Sequence, residues 1–187
     1  MHNRKILIIG EVYVDQHLDI IENGYSTSRL GGIFHAARSC DALNIEYALA
    51  YYAPDYLVKD VEKFGIDVLR ASSIFRLGKV DKAPNVMLIG QSDESGNQLY
   101  ENILGRQAEY VSMLPFMQVL DDFDPTDIII FPGRYGYAGI LSNLSNYEGK
   151  IHIDMNYDCD DILDLDTIKI QTVFLSTSST SFEEFFV

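Results

Sequence analysis

Continuous apolar runs alternate along this chain with segments of helical periodicity. Residues 5–10 read K-I-L-I-I-G and residues 127–131 read D-I-I-I-F, which is the composition of strands buried on both faces of a sheet. Apolar residues recur at helical spacing over residues 33–43, and a second helix is predicted from Pro54 to Gly65, a typical C-terminal stop. This alternation predicts an α/β fold in which helices cover both faces of a parallel sheet.

The segment at about residues 67–104 departs from the alternation. Short extended stretches follow one another there without a helix, beginning with I-D-V-L-R at residues 66–70. The last two flank a turn-rich link, Q-S-D-E-S-G-N, of the kind that joins hairpin strands. We therefore predict one domain over residues 1–187, with a small antiparallel sheet inserted at about 67–104.

Charge and hydropathy exclude two classes of partner. The net charge of -14 argues against nucleic acid, whose phosphates such a chain repels unless a basic patch opposes them. No apolar run reaches the roughly 20 residues that a membrane helix requires, and the short apolar run after the basic start M-H-N-R-K does not make a signal peptide. We expect a cytoplasmic protein that binds neither nucleic acid nor membrane.

Gly31 and Gly32 stand where an extended segment turns into the helix of residues 33–43. Two adjacent glycines let the backbone approach a neighbour closely, and the free N–H groups of a helix start favour an anion or hydroxyl groups. A packing turn explains the same pattern, so this stretch alone leaves both interpretations open.

Five short motifs occur in a fixed order along the chain. They are G-E-V-Y-V-D (residues 10–15), L-G-G-I-F-H-A-A (30–37), F-G-I-D-V (64–68), D-E-S-G-N (93–97) and I-D-M-N-Y-D (153–158). Together they resemble the N-terminal part of ribokinase-like (PfkB-type) carbohydrate kinases. The resemblance implies a three-layer ribokinase-like sheet with a small antiparallel β lid. In the full-length enzyme it implies phosphoryl transfer from ATP, with Mg, to a sugar hydroxyl.

The resemblance also implies a substrate site. Asp15 matches the aspartate that accepts hydrogen bonds from sugar hydroxyls, although a turn or capping aspartate is the alternative interpretation. Gly31 and Gly32 match the di-glycine against which the sugar lies. Tyr13 replaces an asparagine that is common in the family, and its ring is able to stack on a sugar.

Further substrate contacts are expected near the ends of later strands. Asp154 and Asn156 share one face of their strand with His152 and lie at its carboxyl end, where open α/β sheets bind ligands. Arg134 follows another strand, and together with Arg29 it suits an acidic or phosphorylated sugar. No metal site is predicted, because no spaced set of His and Cys residues accompanies these carboxylates.

Family members often pair through the lid, so the resemblance also implies a homodimer. Three apolar residues of the predicted insert are candidates for that contact: Phe75, Leu77 and Met87.

Two departures from the family pattern limit these expectations. Ala36 stands where the family has an asparagine that touches the sugar, so one polar contact is lost. The catalytic G-A-G-D segment is absent from residues 1–187, so this chain alone is predicted to be inactive and to bind neither ATP nor Mg fully. We expect a chain truncated before the ATP-binding half. The alternative is a non-catalytic module, derived from a kinase, that senses a sugar or pairs with another subunit.

Overall fold

A computed structural model of the chain describes residues 4–17, 27–92, 98–103, 109–131, 133, 135, 137–156 and 168–176. The strands of these residues are β1 (Lys5–Glu11), β2 (Val14–His17), β3 (Thr27–Leu30), β4 (Glu46–Ala53), β5 (Ser73–Asp81), β6 (Val86–Ser92), β7 (Gln98–Ile103), β8 (Glu109–Ser112), β9 (Asp127–Ile130), β10 (Lys150–Asn156) and β11 (Ile170–Ser176). The α-helices are α1 (Phe34–Ala42), α2 (Val58–Lys63), α3 (Phe116–Phe123) and α4 (Tyr137–Ser142). In this part of the chain, no helix is both long and apolar enough to cross a membrane.

Seven strands form the large sheet, in the order β11-β10-β9-β1-β4-β5-β8. All pairs in it are parallel except β5 with β8. The central strand β1 contributes Leu7 and Ile9 to a core that includes apolar residues of α3 and α4. Ile6 and Ile8 belong to a second core, with residues of α1 and α2. Two cores on one sheet confirm the predicted three-layer α/β fold, since consecutive strand residues point to opposite faces.

The small sheet has four strands in the order β3-β2-β6-β7. Its outer pairs, β2 with β3 and β6 with β7, are antiparallel, and β2 runs parallel to β6 where they join. The prediction of a small sheet is therefore confirmed, but its strands come from two parts of the chain. β6 and β7 lie within residues 67–104, whereas β2 and β3 precede α1. The link at residues 93–97 lies outside the described residues.

The predictions for residues 66–70, for Gly65 and for Leu77 are wrong. Residues 66–70 were predicted to be extended, but Phe64–Val68 continues α2 as a π-helical turn. Gly65 was predicted to end the helix, but the helical turn continues past it. The glycine is needed for packing instead, since a methyl group there would lie 2.5 Å from the Cδ1 atom of Ile74 on β5. Leu77 was predicted as a lid residue for pairing, but it is buried in the core of the large sheet.

The other two candidates for pairing lie in different sheets. Phe75 is on β5 of the large sheet and packs against its core, so it is not a lid residue either. Met87 is on β6 of the small sheet. The difference arises because β5 pairs with β4 along the large sheet, a contact that local sequence does not reveal.

Asp127 holds together the edge of the large sheet at which β1 and β9 begin. Its carboxylate accepts hydrogen bonds of 2.8 Å from Arg4 Nη2 and from Thr126 Oγ1, and His152 Nε2 lies 3.4 Å from Oδ1. Burial alone would raise the pKa of Asp127, but these hydrogen bonds outweigh it and hold the pKa below its ordinary value. The ionised form therefore stabilises the fold at neutral pH, and this contribution is lost as the pH falls through the lowered pKa.

We expect Asp127→Asn to lower the free energy of unfolding by about 1–2 kcal/mol at pH 7, because Arg4 is half exposed and the pair is partly screened. Urea unfolding between pH 7 and pH 2 measures the effect, and the two proteins should converge in acid. Asp121→Asn is the control, because Asp121 is exposed on α3. A difference between Asp127→Asn and the unmodified chain that is the same at every pH would contradict this account of Asp127.

Candidate functional site

The chain leaves the large sheet at the carboxyl end of β1 and enters the small sheet at β2. Val12 lies at this crossing and donates its N–H to Tyr52 O at 3.0 Å. The fully buried Asn85 joins the two sheets, because its Nδ2 donates to Val12 O at 3.1 Å and its own carbonyl accepts from Val14 N at 2.8 Å. The sequence analysis did not identify Asn85 as a link between the sheets. The turn-forming pair Pro84-Asn85 was the available signal. The carboxyl ends of parallel strands are where open α/β sheets bind ligands.

Asp15 lies on β2 with its carboxylate against the backbone of Gly31. A methyl group at Gly31 would overlap both carboxylate oxygens, and Asp15 is only 4% exposed. Gly31 N also donates to Tyr13 O at 2.9 Å. The structure thus brings together Asp15, Gly31 and Tyr13, which the sequence placed in one site, whereas their role in binding a sugar stays a prediction.

Two side chains of basic type contact the Asp15 carboxylate. His35 Nε2 lies 3.0 Å from Asp15 Oδ2, and Arg29 Nε lies 3.6 Å from the same oxygen. Both are about half exposed, so the buried carboxylate has polar groups at its solvent side. Sequence reasoning singled out Ala36 and missed His35. The available signal was its position in the first turn of α1, three residues after Gly32.

Gly32 has a backbone requirement of its own. Its φ is +61°, and a methyl group there would overlap the carbonyl oxygen of Glu11 and approach Tyr13 Cδ2 to 3.1 Å. The next residue, Ile33, donates its N–H to Glu11 O at 3.2 Å. The packing explanation of the di-glycine therefore holds for Gly32. It is this close packing that places the start of α1 beside Asp15.

A second group of polar side chains surrounds Glu11, the last residue of β1. Glu11 is 2% exposed and accepts a hydrogen bond of 2.9 Å from Tyr110 OH to Oε1. Tyr52 lies next to it in register on β4 and stacks on Tyr135 with 4.6 Å between ring centroids. Burial raises the pKa of Tyr52, so this hydroxyl is neutral at physiological pH. The sequence signal that we missed is an acidic residue directly after a buried apolar run.

A cavity of about 310 Å³ adjoins Tyr52 and Tyr110. It lies between β4, β5 and β8 on one side and α3 and α4 on the other. Its lining residues are Tyr52, Leu77, Tyr110, Ser112, Leu114, Phe116, Gly139, Ile140 and Asn143. The carboxyl end of β1 thus has the Asp15 cluster on one side and this aromatic cavity on the other.

Among the other predicted site residues, the described one, Asp154, is not on a strand adjacent to β1. Asp154 lies on β10, and β9 separates that strand from β1. Burial raises the pKa of Asp154. His152 contacts Asp127 at the amino end of β9. Asn156 ends β10, but its side chain and all of Arg134 lie outside what the structure describes.

The described residues include no group of three or more His, Cys, Asp or Glu side chains that could hold a metal ion.

Comparison with known proteins gives matches only to solved structures. No protein-family model and no curated protein matches the sequence. A ribokinase from Giardia lamblia superposes with a TM-score of 0.60 at 15% identity, over 88% of this chain and 54% of that one. A fructokinase from Xylella fastidiosa gives 0.59 at 12% identity, over 82% and 50%. An uncharacterised sugar kinase from Pyrococcus horikoshii gives 0.52 at 13%, over 87% and 54%. These likenesses confirm the predicted fold, and the chain spans about half the length of each protein.

Proposed function

We propose that this chain, whose fold is ribokinase-like, is the sugar-binding part of an ATP-dependent carbohydrate kinase. The observation that carries the proposal is the buried Asp15 carboxylate, which packs on Gly31 beside the start of α1. An ionised carboxylate accepts hydrogen bonds only, and two sugar hydroxyls are suitable donors for it. The neighbouring structures named as ribokinase, fructokinase and sugar kinase support the same substrate class.

The small sheet supports this function by its position. β2 carries Asp15, and β3 leads directly into Gly31, so the small sheet lies next to the Asp15 carboxylate. A sheet in that position is suited to cover a bound sugar and to exclude water from the reacting hydroxyl. We therefore assign β2, β3, β6 and β7 as the lid.

Positive charge beside Asp15 narrows the substrate class. Arg29 contacts the carboxylate and is half exposed, so its guanidinium is also accessible to a ligand. His35 adds a second positive charge when it is protonated. These groups favour a sugar that carries a carboxylate or phosphate over a neutral one.

Neither the sequence motifs nor the described residues of this chain supply a site for ATP and Mg. The sequence has no G-A-G-D segment and neither of the glycine-rich phosphate-binding patterns G-x-G-x-x-G and G-x-x-x-x-G-K-[ST]. The described residues provide no carboxylate cluster that could hold the metal. We therefore assign sugar binding to this chain and phosphoryl transfer to residues outside it, since the match covers only about half of each structural relative.

Calorimetry with this chain tests the proposal. We expect it to bind gluconate or a sugar phosphate more tightly than fructose or ribose, and to transfer no phosphate from ATP to any of them. Arg29→Gln should reduce the preference for the acidic sugar without abolishing binding of the neutral one. Failure to bind any sugar would overturn the proposal. Phosphoryl transfer by this chain would overturn the assignment of that step to residues outside it. Sugar binding by a longer product that never transfers phosphate would favour a sugar-sensing module.

A further inference from the structure

We propose that the cavity between β3, α1 and α2 is a binding site for an amphipathic anion, a small molecule with one carboxylate or phosphate on an apolar body. The cavity has a volume of about 330 Å³, which is within the range of roughly 300–1,000 Å³ for small-molecule sites. Its lining residues are Ser28, Arg29, Leu30, Arg38, Asp60, Lys63, Phe64 and Val68. The inference does not rest on the proposed sugar-binding function, although Arg29 borders both sites.

Apolar groups form the walls of this cavity. Leu30 and Phe64 are partly buried and pack against the core beneath α1 and α2. Val68 is 55% exposed at the rim, so it presents an apolar surface that no described residue covers. Arg38 Cζ lies 5.5 Å from the centroid of the Phe64 ring, so the positive charge stacks on the apolar wall of the cavity. A sugar is polar on every side, so a partly apolar molecule suits these walls better.

Positive charge is concentrated at the same cavity. Arg29, Arg38 and Lys63 line it together with one acidic residue, Asp60, and Asp15 lies 3.6 Å from Arg29 beside it, although the whole chain has a net charge of -14. Three of the 14 basic residues thus meet at one small cavity. Local charge of this sign in an acidic protein favours an anionic ligand over a neutral or cationic one.

Arg38 has hydrogen-bonding capacity that the protein does not use. Its Nη2 donates to Leu30 O at 2.7 Å, whereas its Nη1 is buried and has no hydrogen-bond partner among the described residues. Burial, and next the nearby charge of Arg29, lower the pKa of Arg38. An unsatisfied guanidinium nitrogen is costly when buried, and rotation of the guanidinium toward a bound carboxylate or phosphate would satisfy it.

Binding of eight-carbon probes tests this site by amide NMR shifts of the full chain. We expect octanoate and octyl phosphate to bind and to shift the amides of Arg38 and Phe64, while octanol and octylamine bind at least about tenfold more weakly. The two anions separate a carboxylate ligand from a phosphate ligand. Equal affinity of octanol and the anions would overturn the proposal, because it would show that the basic side chains of the cavity do not contribute to binding.

Variants locate the binding. Arg38→Gln should weaken octanoate binding by about tenfold or more, and the exposed Lys63→Gln by a few-fold. Lys59→Gln is the matched control, since Lys59 lies one turn earlier on α2 and does not line the cavity. Lys63→Gln keeps the test decisive if Arg38→Gln does not fold. Octanoate binding that is unchanged in Lys63→Gln, or equally weakened in Lys59→Gln, would overturn the assignment.

Discussion

Asp15→Asn should bind sugar about 10- to 100-fold more weakly than the unmodified chain. The substitution preserves the shape of the side chain but removes the negative charge that strengthens hydrogen bonds from hydroxyl groups, and such charge-assisted bonds contribute about 1.5–3 kcal/mol. Isothermal titration with the tightest-binding sugar of the panel measures the loss. The carboxylate is buried against Gly31, so no other described acidic side chain can take its place there.

The control for this experiment is Asp41→Asn. Asp41 lies near the other end of α1 and pairs with Arg70 at 3.1 Å on the surface. It removes the same charge from the protein but not from the site, so sugar affinity should not change. Thermal unfolding of both variants separates lost binding from lost stability. Wild-type sugar affinity in a folded Asp15→Asn protein would show that Asp15 serves packing alone.

Gly32→Ala should lower the free energy of unfolding by about 2–5 kcal/mol. Its φ of +61° is costly for any residue with a Cβ atom, and the added methyl group would overlap the backbone carbonyl of Glu11. Backbone at the end of the central strand cannot move without disturbing the crossing between the two sheets. Thermal unfolding should show a midpoint lower by roughly 5–20 °C.

Gly139→Ala provides the opposite expectation in the same assay. Gly139 lies within α4, and nothing is within 4 Å of the place where its Cβ would stand. Alanine is favoured over glycine in a helix interior by about 0.5–1 kcal/mol, so this variant should be slightly more stable than the unmodified chain. If both alanine variants changed stability by the same amount, the close approach at Gly32 would not be the cause.

Elements with strong periodicity were predictable from the sequence. The buried run at residues 5–10 became β1, and the helical spacing at residues 33–43 became α1. Gly65 shows where such reasoning fails. Glycine after a helical pattern indicates a stop, yet here it is needed for a close contact with Ile74, and the helical turn continues past it. Local signals do not distinguish these two uses of glycine, because the contact involves a strand that comes later in the chain.

The candidate site also contains residues that the sequence indicated and residues that only the structure revealed. The sequence named Asp15 and the di-glycine through a family resemblance, and the structure shows that Asp15 contacts Gly31, whereas their role in binding a sugar stays a prediction. His35 and Glu11 were not predictable, although each is near a motif. Their importance arises from partners elsewhere in the chain. Tyr110, which bonds Glu11, is 99 positions away, and His35 is 20 positions from Asp15.

Local pattern thus decided the class of fold and the buried central strand of the large sheet, because apolar periodicity specifies which faces are buried. Only the tertiary structure decided which strands form the small sheet, which groups contact the Asp15 carboxylate and where basic residues gather into a cavity. These outcomes depend on pairing between segments that are distant in the chain. Nothing in the periodicity of either segment specifies its partner.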